Sequence, residues 1–128
     1  DIGVLCGGDA GAGSSTKEVF VSTNSGASYT QIAQAPRGGQ ATGMAAASST
    51  TFAIAAASGA SWIYTISGAD TNWSQPLDLG DGGAGWADLG FTDATHGVVV
   101  HGPGPSGPGI VYLTDNGGAS WFTVKLAA

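Results

Sequence analysis

Apolar and polar positions alternate along this chain over short stretches, and each stretch ends in a cluster of Gly, Ser, Asn or Asp. Alternation with a period of two places successive side chains on opposite faces of a strand. No stretch shows the spacing of about 3.6 residues that marks an amphipathic helix. The pattern therefore reads as all-β. Strands are expected at Ile2 to Cys6, Glu18 to Thr23, Tyr29 to Ala33, Ala41 to Ala47, Phe52 to Ala57 and Trp62 to Ile66. Five more are expected at Trp73 to Leu77, Trp86 to Phe91, Gly97 to His101, Ile110 to Thr114 and Ser120 to Leu126.

Between two of these strands lies Thr114-Asp115-Asn116-Gly117-Gly118-Ala119-Ser120-Trp121, and an echo of it stands at Ser22-Thr23-Asn24-Ser25-Gly26-Ala27-Ser28-Tyr29. A third, degraded copy begins Thr65-Ile66-Ser67-Gly68-Ala69 and ends in Trp73. The closing aromatics Tyr29, Trp73 and Trp121 follow one another at 44 and 48 residues, an interval that suits four-stranded propeller blades. Asn and Gly tolerate the positive φ of a sharp turn. The short polar side chains can bond the turn's own amides. The aromatic would then fold beneath the turn, so Tyr29 and Trp121 are expected to be mostly buried. All of this is fold-stabilising chemistry.

These segments resemble the Asp-box, the bacterial neuraminidase repeat, whose pattern is Ser/Thr-x-Asp-x-Gly-x-Thr/Ser-Trp. Asn24 and Asn116 stand where the pattern has Asp, Tyr29 where it has Trp, and the middle copy carries an extra residue. Gly90-Phe91-Thr92-Asp93-Ala94-Thr95-His96-Gly97-Val98-Val99-Val100 is similar to a phrase common in Asp-box propellers, including the photosystem II assembly factor type. The resemblance implies a β-propeller arc of about three four-stranded antiparallel blades, at residues 1–35, 40–79 and 85–128. It gives structural roles to Ser22, Asn24, Gly26, Tyr29, Trp73, Thr114, Asn116, Gly118 and Trp121. The first blade lacks its inner strand, because nothing strand-like precedes Ile2. Propellers usually close with about four to eight blades. The chain is therefore expected to be part of a ring, either as a piece of a longer protein or as a protomer that assembles with copies of itself.

An antiparallel meander sends its connections alternately to two ends. The repeated turns and the Asp93 to His96 turn fall at one end. The long connections at residues 7–16, 36–40, 78–85 and 102–109 fall at the other, and insertions gathered on one face of a repeat array often mark a binding face. In sialidase-like propellers the resemblance likewise puts the active site opposite the Asp-boxes. Asp9, Arg37, Gln40, Asp81, Trp86, Asp88 and His101 are the candidate ligand-binding residues of that face. Asp9 and Asp81 also read as ordinary turn formers, and Arg37 as a plain surface charge. Asp88 and Trp86 share one face of their strand, with Ala87, Leu89 and Phe91 on the other. Trp86 reads either as a sugar-stacking platform or, more simply, as a core aromatic.

Lys17, Arg37 and Lys125 are the basic residues, against nine acidic ones. A chain this acidic is not expected to bind nucleic acid or an anionic membrane through charge, and no apolar run is long enough to span a bilayer. No leader segment is visible ahead of the first strand. The scarcity of Lys and the abundance of Ser, Thr, Gly and Ala suit a secreted or cell-surface bacterial protein. No cofactor or metal is expected. His96 and His101 are separated by about 16 Å of strand, whereas metal ligands converge within about 2–2.2 Å of one ion. Asp93 and His96 read as a local turn bond. Cys6 has no partner for a disulfide and reads as a buried strand thiol.

Three functions remain open at this point. The first is a non-catalytic propeller module that binds a glycan or a protein through the long-loop face. The second is part of a secreted glycoside hydrolase of sialidase or xyloglucanase type. The third is a structural or assembly protein. A sialidase-like site needs several Arg to grip a carboxylate, and Arg37 is the one Arg present. A xyloglucanase-like site needs two carboxylates about the scissile bond, for which Asp9, Asp81 and Asp88 are the candidates. No catalytic residue is assigned.

Overall fold

A computed structural model describes residues 1–8, 11–68, 70–82, 84–103 and 108–124. They contain no helix. β1 (Ile2–Gly7), β2 (Lys17–Ser22) and β3 (Thr30–Gln31) form the first antiparallel sheet. β4 (Gln40–Ala46), β5 (Thr51–Ala57), β6 (Ser61–Ser67) and β7 (Ser74–Leu79) form the second. β8 (Trp86–Phe91), β9 (Gly97–His101), β10 (Ile110–Thr114) and β11 (Phe122–Val124) form the third. Strands neighbour one another in chain order within each sheet. The architecture is an all-β arc of three blade-like sheets, the first lacking the strand that opens the other two.

The second sheet is packed on both faces, which explains its composition. Phe52, Ile54 and Ala56 of β5, with Tyr64 and Ile66 of β6, pack against Val19 and Ala35 of the first sheet's side. Ala53, Ala55 and Ile63 point the opposite way, against Val99 and Tyr112 of the third sheet. A strand covered on both faces reads as a continuous apolar run, and β5 is Thr-Phe-Ala-Ile-Ala-Ala-Ala. Each large apolar side chain buried in this way contributes on the order of 1.5–3 kcal/mol. Pro76 sits in β7, at the outer edge of its sheet and where the register with β6 shifts. Such a position tolerates the missing N–H.

The two full copies of the repeated turn fold alike. The hydroxyl of Ser22 donates to Asn24 Oδ1 at 2.9 Å and accepts from Gly26 N at 2.8 Å. Thr114 does the same with Asn116 Oδ1 and Gly118 N, both at 2.9 Å. The Asn Oδ1 also accepts from the Ser amide, at 2.9 Å for Ser28 and 3.0 Å for Ser120. Its Nδ2 donates to the Ser hydroxyl, at 2.8 and 2.7 Å. The fifth position is left-handed in both, at φ 87° for Gly26 and 86° for Gly118, so Gly stands there without strain. The middle copy differs. The Thr65 hydroxyl donates instead to Gly118 O of the third sheet, at 3.0 Å.

Three expectations are corrected. Tyr29 is 44% exposed rather than buried. Trp73 packs toward the first sheet and Trp121 toward the second. Among the described residues no sheet precedes the first, so Tyr29 has no surface to pack on. Cys6 is exposed for a related reason, because β1 is an edge strand. The last strand is described as Phe122–Val124, and Lys125 and Leu126 lie outside the described residues.

Candidate functional site

The long connections meet in pairs at one end of the sheets. Ser14 bridges to Gly39, and Ser15 N donates to Arg37 O at 3.1 Å, joining the first two connections. Gly102 N donates to Gly85 O at 2.9 Å, joining the last two. The shorter turns lie at the other end, where Gly117 N donates to Thr95 O at 2.8 Å and Gly68 N to Thr50 O at 3.0 Å.

Beneath the second pair of connections lies a polar node. Asp81 Oδ2 accepts from the Ser61 hydroxyl at 2.6 Å and hydrogen-bonds His101 Nε2. Ser61 Oγ in turn accepts from Gly85 N at 3.0 Å. Ser61 and His101 are buried, and the Trp86 ring meets the imidazole edge-on at 5.3 Å. The Trp86 indole N–H is shared between Ala56 O at 3.1 Å and Trp62 O at 3.0 Å. Burial and the nearby Asp81 carboxylate raise the Tyr112 phenol above its usual range. The node joins β6, the connection after β7 and the end of β9. Ser61 carried no signal in the sequence, being one Ser among many at a strand start.

The expectation for His101 fails here, and Trp86 takes the simpler of its two readings, a packed aromatic. His101 is buried and committed to Asp81 rather than presented on the loop face. The register with β9 shifts between Trp86 and Asp88, with Trp86 opposite His101 and Asp88 opposite Val100, and both still border one cleft between β4 and β8. The bulge turns Trp86 into the packing between the second and third sheets. Trp86 is therefore a core anchor, with its N–H already satisfied.

The other candidates are dispersed. Asp9 lies outside the described residues. Arg37, on the connection into β4, and Gln40, the first residue of β4, are exposed. Asp88 is exposed and accepts from Leu89 N at 2.8 Å. With Trp86 it borders a cleft of about 220 Å³ between β4 and β8, lined also by Thr42, Met44 and Ala55, so these two candidates are brought together. That is below the range of about 300–1,000 Å³ common for ligand pockets. A second cleft, of about 520 Å³, opens between the first and second sheets over Val21, Ile32, Phe52 and Ile66, with Thr23, Thr50 and Asp70 at its rim. It lies at the end of the short turns.

A charged group missed by the sequence reading is Lys17. Its side chain is fully buried, and Nζ donates to main-chain oxygens of Ser15, Pro36, Arg37 and Gly38 at 2.9–3.1 Å. Burial, with a smaller effect from Arg37, lowers its pKa to about 8. The Tyr64 ring lies 5.6 Å from the ammonium, and burial together with Asp78 pushes its phenol up to about 12. Asp93 forms the local turn with His96. Its Oδ1 accepts from His96 N at 2.8 Å and Thr95 N at 2.7 Å, which holds the carboxyl well below the usual range. Among the described residues no group of three or more His, Cys, Asp or Glu side chains gathers to hold a metal.

No family model matches the chain, and no curated protein matches it. Among solved structures, the chain is similar to the GH74 xyloglucanase from Xanthomonas campestris, with a TM-score of 0.62 and 17% identity. The match covers 94% of this chain and 20% of that one, so the chain spans a fifth of that enzyme's length. At this identity the likeness is one of fold, and it places the three sheets in a β-propeller-like architecture.

Proposed function

We propose that this chain is a non-catalytic section of a secreted bacterial β-propeller of the Asp-box kind, which contacts a glycan or a protein through its long-loop face. The observation that carries the reading is the bonding of Asp81 to His101 and Ser61. Groups suited to acid–base chemistry are spent on joining the second and third sheets. Hydrolysis with inversion needs two carboxylates about 6.5–9.5 Å apart around the scissile bond, and Asp88 borders its small cleft with Thr42 and Met44 facing it. Arg37, the chain's one Arg, supplies no carboxylate-gripping cluster. The remainder of the ring comes from the same protein or from further copies.

A second reading is favoured by the likeness to a xyloglucanase. There the chain is a section of a glycoside hydrolase, and Asp88 lines the substrate path while other sections supply its partner carboxylate. A glycan array and a fluorogenic glycosidase panel that includes xyloglucan, run on this chain, separate the readings. Binding without turnover, weakened by Arg37→Ala together with Gln40→Ala, supports the non-catalytic module. Turnover abolished by Asp88→Asn overturns it.

A further inference from the structure

Lys17 makes no ion pair among the described residues. Its charge is met by four carbonyl oxygens, of Ser15 at 3.1 Å, Pro36 and Arg37 at 3.0 Å and Gly38 at 2.9 Å. A lysine ammonium carries three N–H donors. Four oxygens around three hydrogens are arranged about the charge itself rather than about three directional bonds. Burying an ammonium is costly unless its surroundings are polar and fixed, and these oxygens are fixed. Arg37 O also accepts from Ser15 N, and Gly38 O from the Tyr64 hydroxyl at 3.1 Å. The backbone at and just after the last of them is Gly38-Gly39 for steric reasons. A Cβ on Gly38 would lie 2.6 Å from Tyr64 Oη. One on Gly39, at φ 70°, would lie 2.9 Å from Ala57 N and from the Trp62 ring.

We propose that the carbonyls of Ser15, Pro36, Arg37 and Gly38 form a binding site for a monovalent cation of the ammonium type, which the chain fills with its own Lys17. The tethered cation sets the conformation of the connection that carries Arg37 and leads into Gln40 of β4. The oxygens are all neutral, which suits a single charge. Divalent ions draw on carboxylate oxygens, and none is among the four. The Tyr64 face adds a surface that favours an organic cation. The inference is independent of what the long-loop face binds.

Removing the tether tests the site. Lys17→Ala deletes Cγ, Cδ, Cε and the ammonium, which is the n-propylammonium ion. At pH 7, below the lowered pKa of Lys17 and with its ammonium charged, the melting temperature of Lys17→Ala should fall below that of the parent chain. It should rise saturably with n-propylammonium chloride, and much less with sodium chloride or tetramethylammonium chloride at equal ionic strength. Lys17→Met, which fills the channel without charge, should be destabilised and show no such rescue. The proposal is overturned if Lys17→Met melts like the parent, or if n-propylammonium acts no better than tetramethylammonium. Should Lys17→Ala fail to fold, amine acylation of the unaltered chain with peptide mass mapping decides. Lys17 should react about 100-fold more slowly in the folded chain than in urea, and similar rates in both would refute the cage.

Discussion

The indole N–H of Trp73 donates to the main-chain carbonyl of Ala33, binding the end of the second sheet's turn to the first sheet. Trp121 ends the corresponding turn of the third sheet, yet its buried Nε1 has no acceptor among the described residues. The same residue type at the same repeat position is thus satisfied once and orphaned once. Replacing either by Phe removes a similar amount of ring and the same N–H. Trp73→Phe should therefore cost about 1–2 kcal/mol more than Trp121→Phe, because it also leaves Ala33 O without its donor, whereas Trp121→Phe relieves a desolvated one. Urea denaturation of the two variants measures the difference, and equal losses would count against it.

Asp81 serves two buried donors at once. Asp81→Ala should cost about 2–4 kcal/mol, since Ser61 and His101 are both left without their acceptor. Asp81→Asn keeps an acceptor oxygen and should cost less. Thermal melts of the pair report this, and an Asp81→Ala variant as stable as the parent would show that the node contributes nothing.

The side-chain amide of Asn116 holds its turn through Thr114 and Ser120. Asn116→Ala should lose about 1–2 kcal/mol. Asn116→Asp should hold its stability at neutral pH, because the oxygen that accepts from Thr114 and Ser120 remains and the Ser120 hydroxyl can reverse to donate. Chemical denaturation of both variants distinguishes a turn held by this oxygen from one held by backbone conformation alone.

Lys17 gives stability a pH dependence in the alkaline range. Its pKa falls from 10.5 to about 8 on folding. Below about pH 8 both states carry the proton and stability does not change through this group. Between about pH 8 and 10.5 the unfolded chain still binds a proton that the folded chain has released, so stability rises with pH. Urea midpoints at pH 7, 8 and 9 should climb for the parent chain and stay flat for Lys17→Met, before the raised Tyr64 and Tyr112 phenols lower the stability of both at higher pH. A decline that Lys17→Met abolishes would reverse the assigned direction.

The strands were legible where turn residues bracket them. Trp86–Phe91, Gly97–His101 and Ile110–Thr114 form over the residues their flanking Gly, Asp and Pro positions indicate. β3, the last strand of the first sheet, is shorter than expected, although its pairing runs on through Ile32 N to Val19 O at 2.9 Å and Ala35 N to Lys17 O at 3.1 Å. Side-chain destinations were less legible, because they depend on long-range events. Lys17 reads as a surface charge in an acidic chain, and three of its four partners are main-chain oxygens 19 to 21 residues away, which have no residue-type signature. One signal was available: alternation along β2 places Lys17 on the face of Val19 and Val21. The node on Asp81 draws on three separate elements, and nothing in the turn context of Asp81 points to Ser61.

The two-sided packing of the second sheet makes the chain a short linear array, in which each sheet is held chiefly by its neighbours. In such arrays local opening starts at the ends and moves inward. Amide hydrogens of Phe52–Ala56 and Ile63–Ile66 should be the last to exchange with solvent, and those of β1 and β11 among the first. Residues at the centre of the array would then report global unfolding, and β1 would breathe on its own, which makes it the part of the chain readiest to exchange partners.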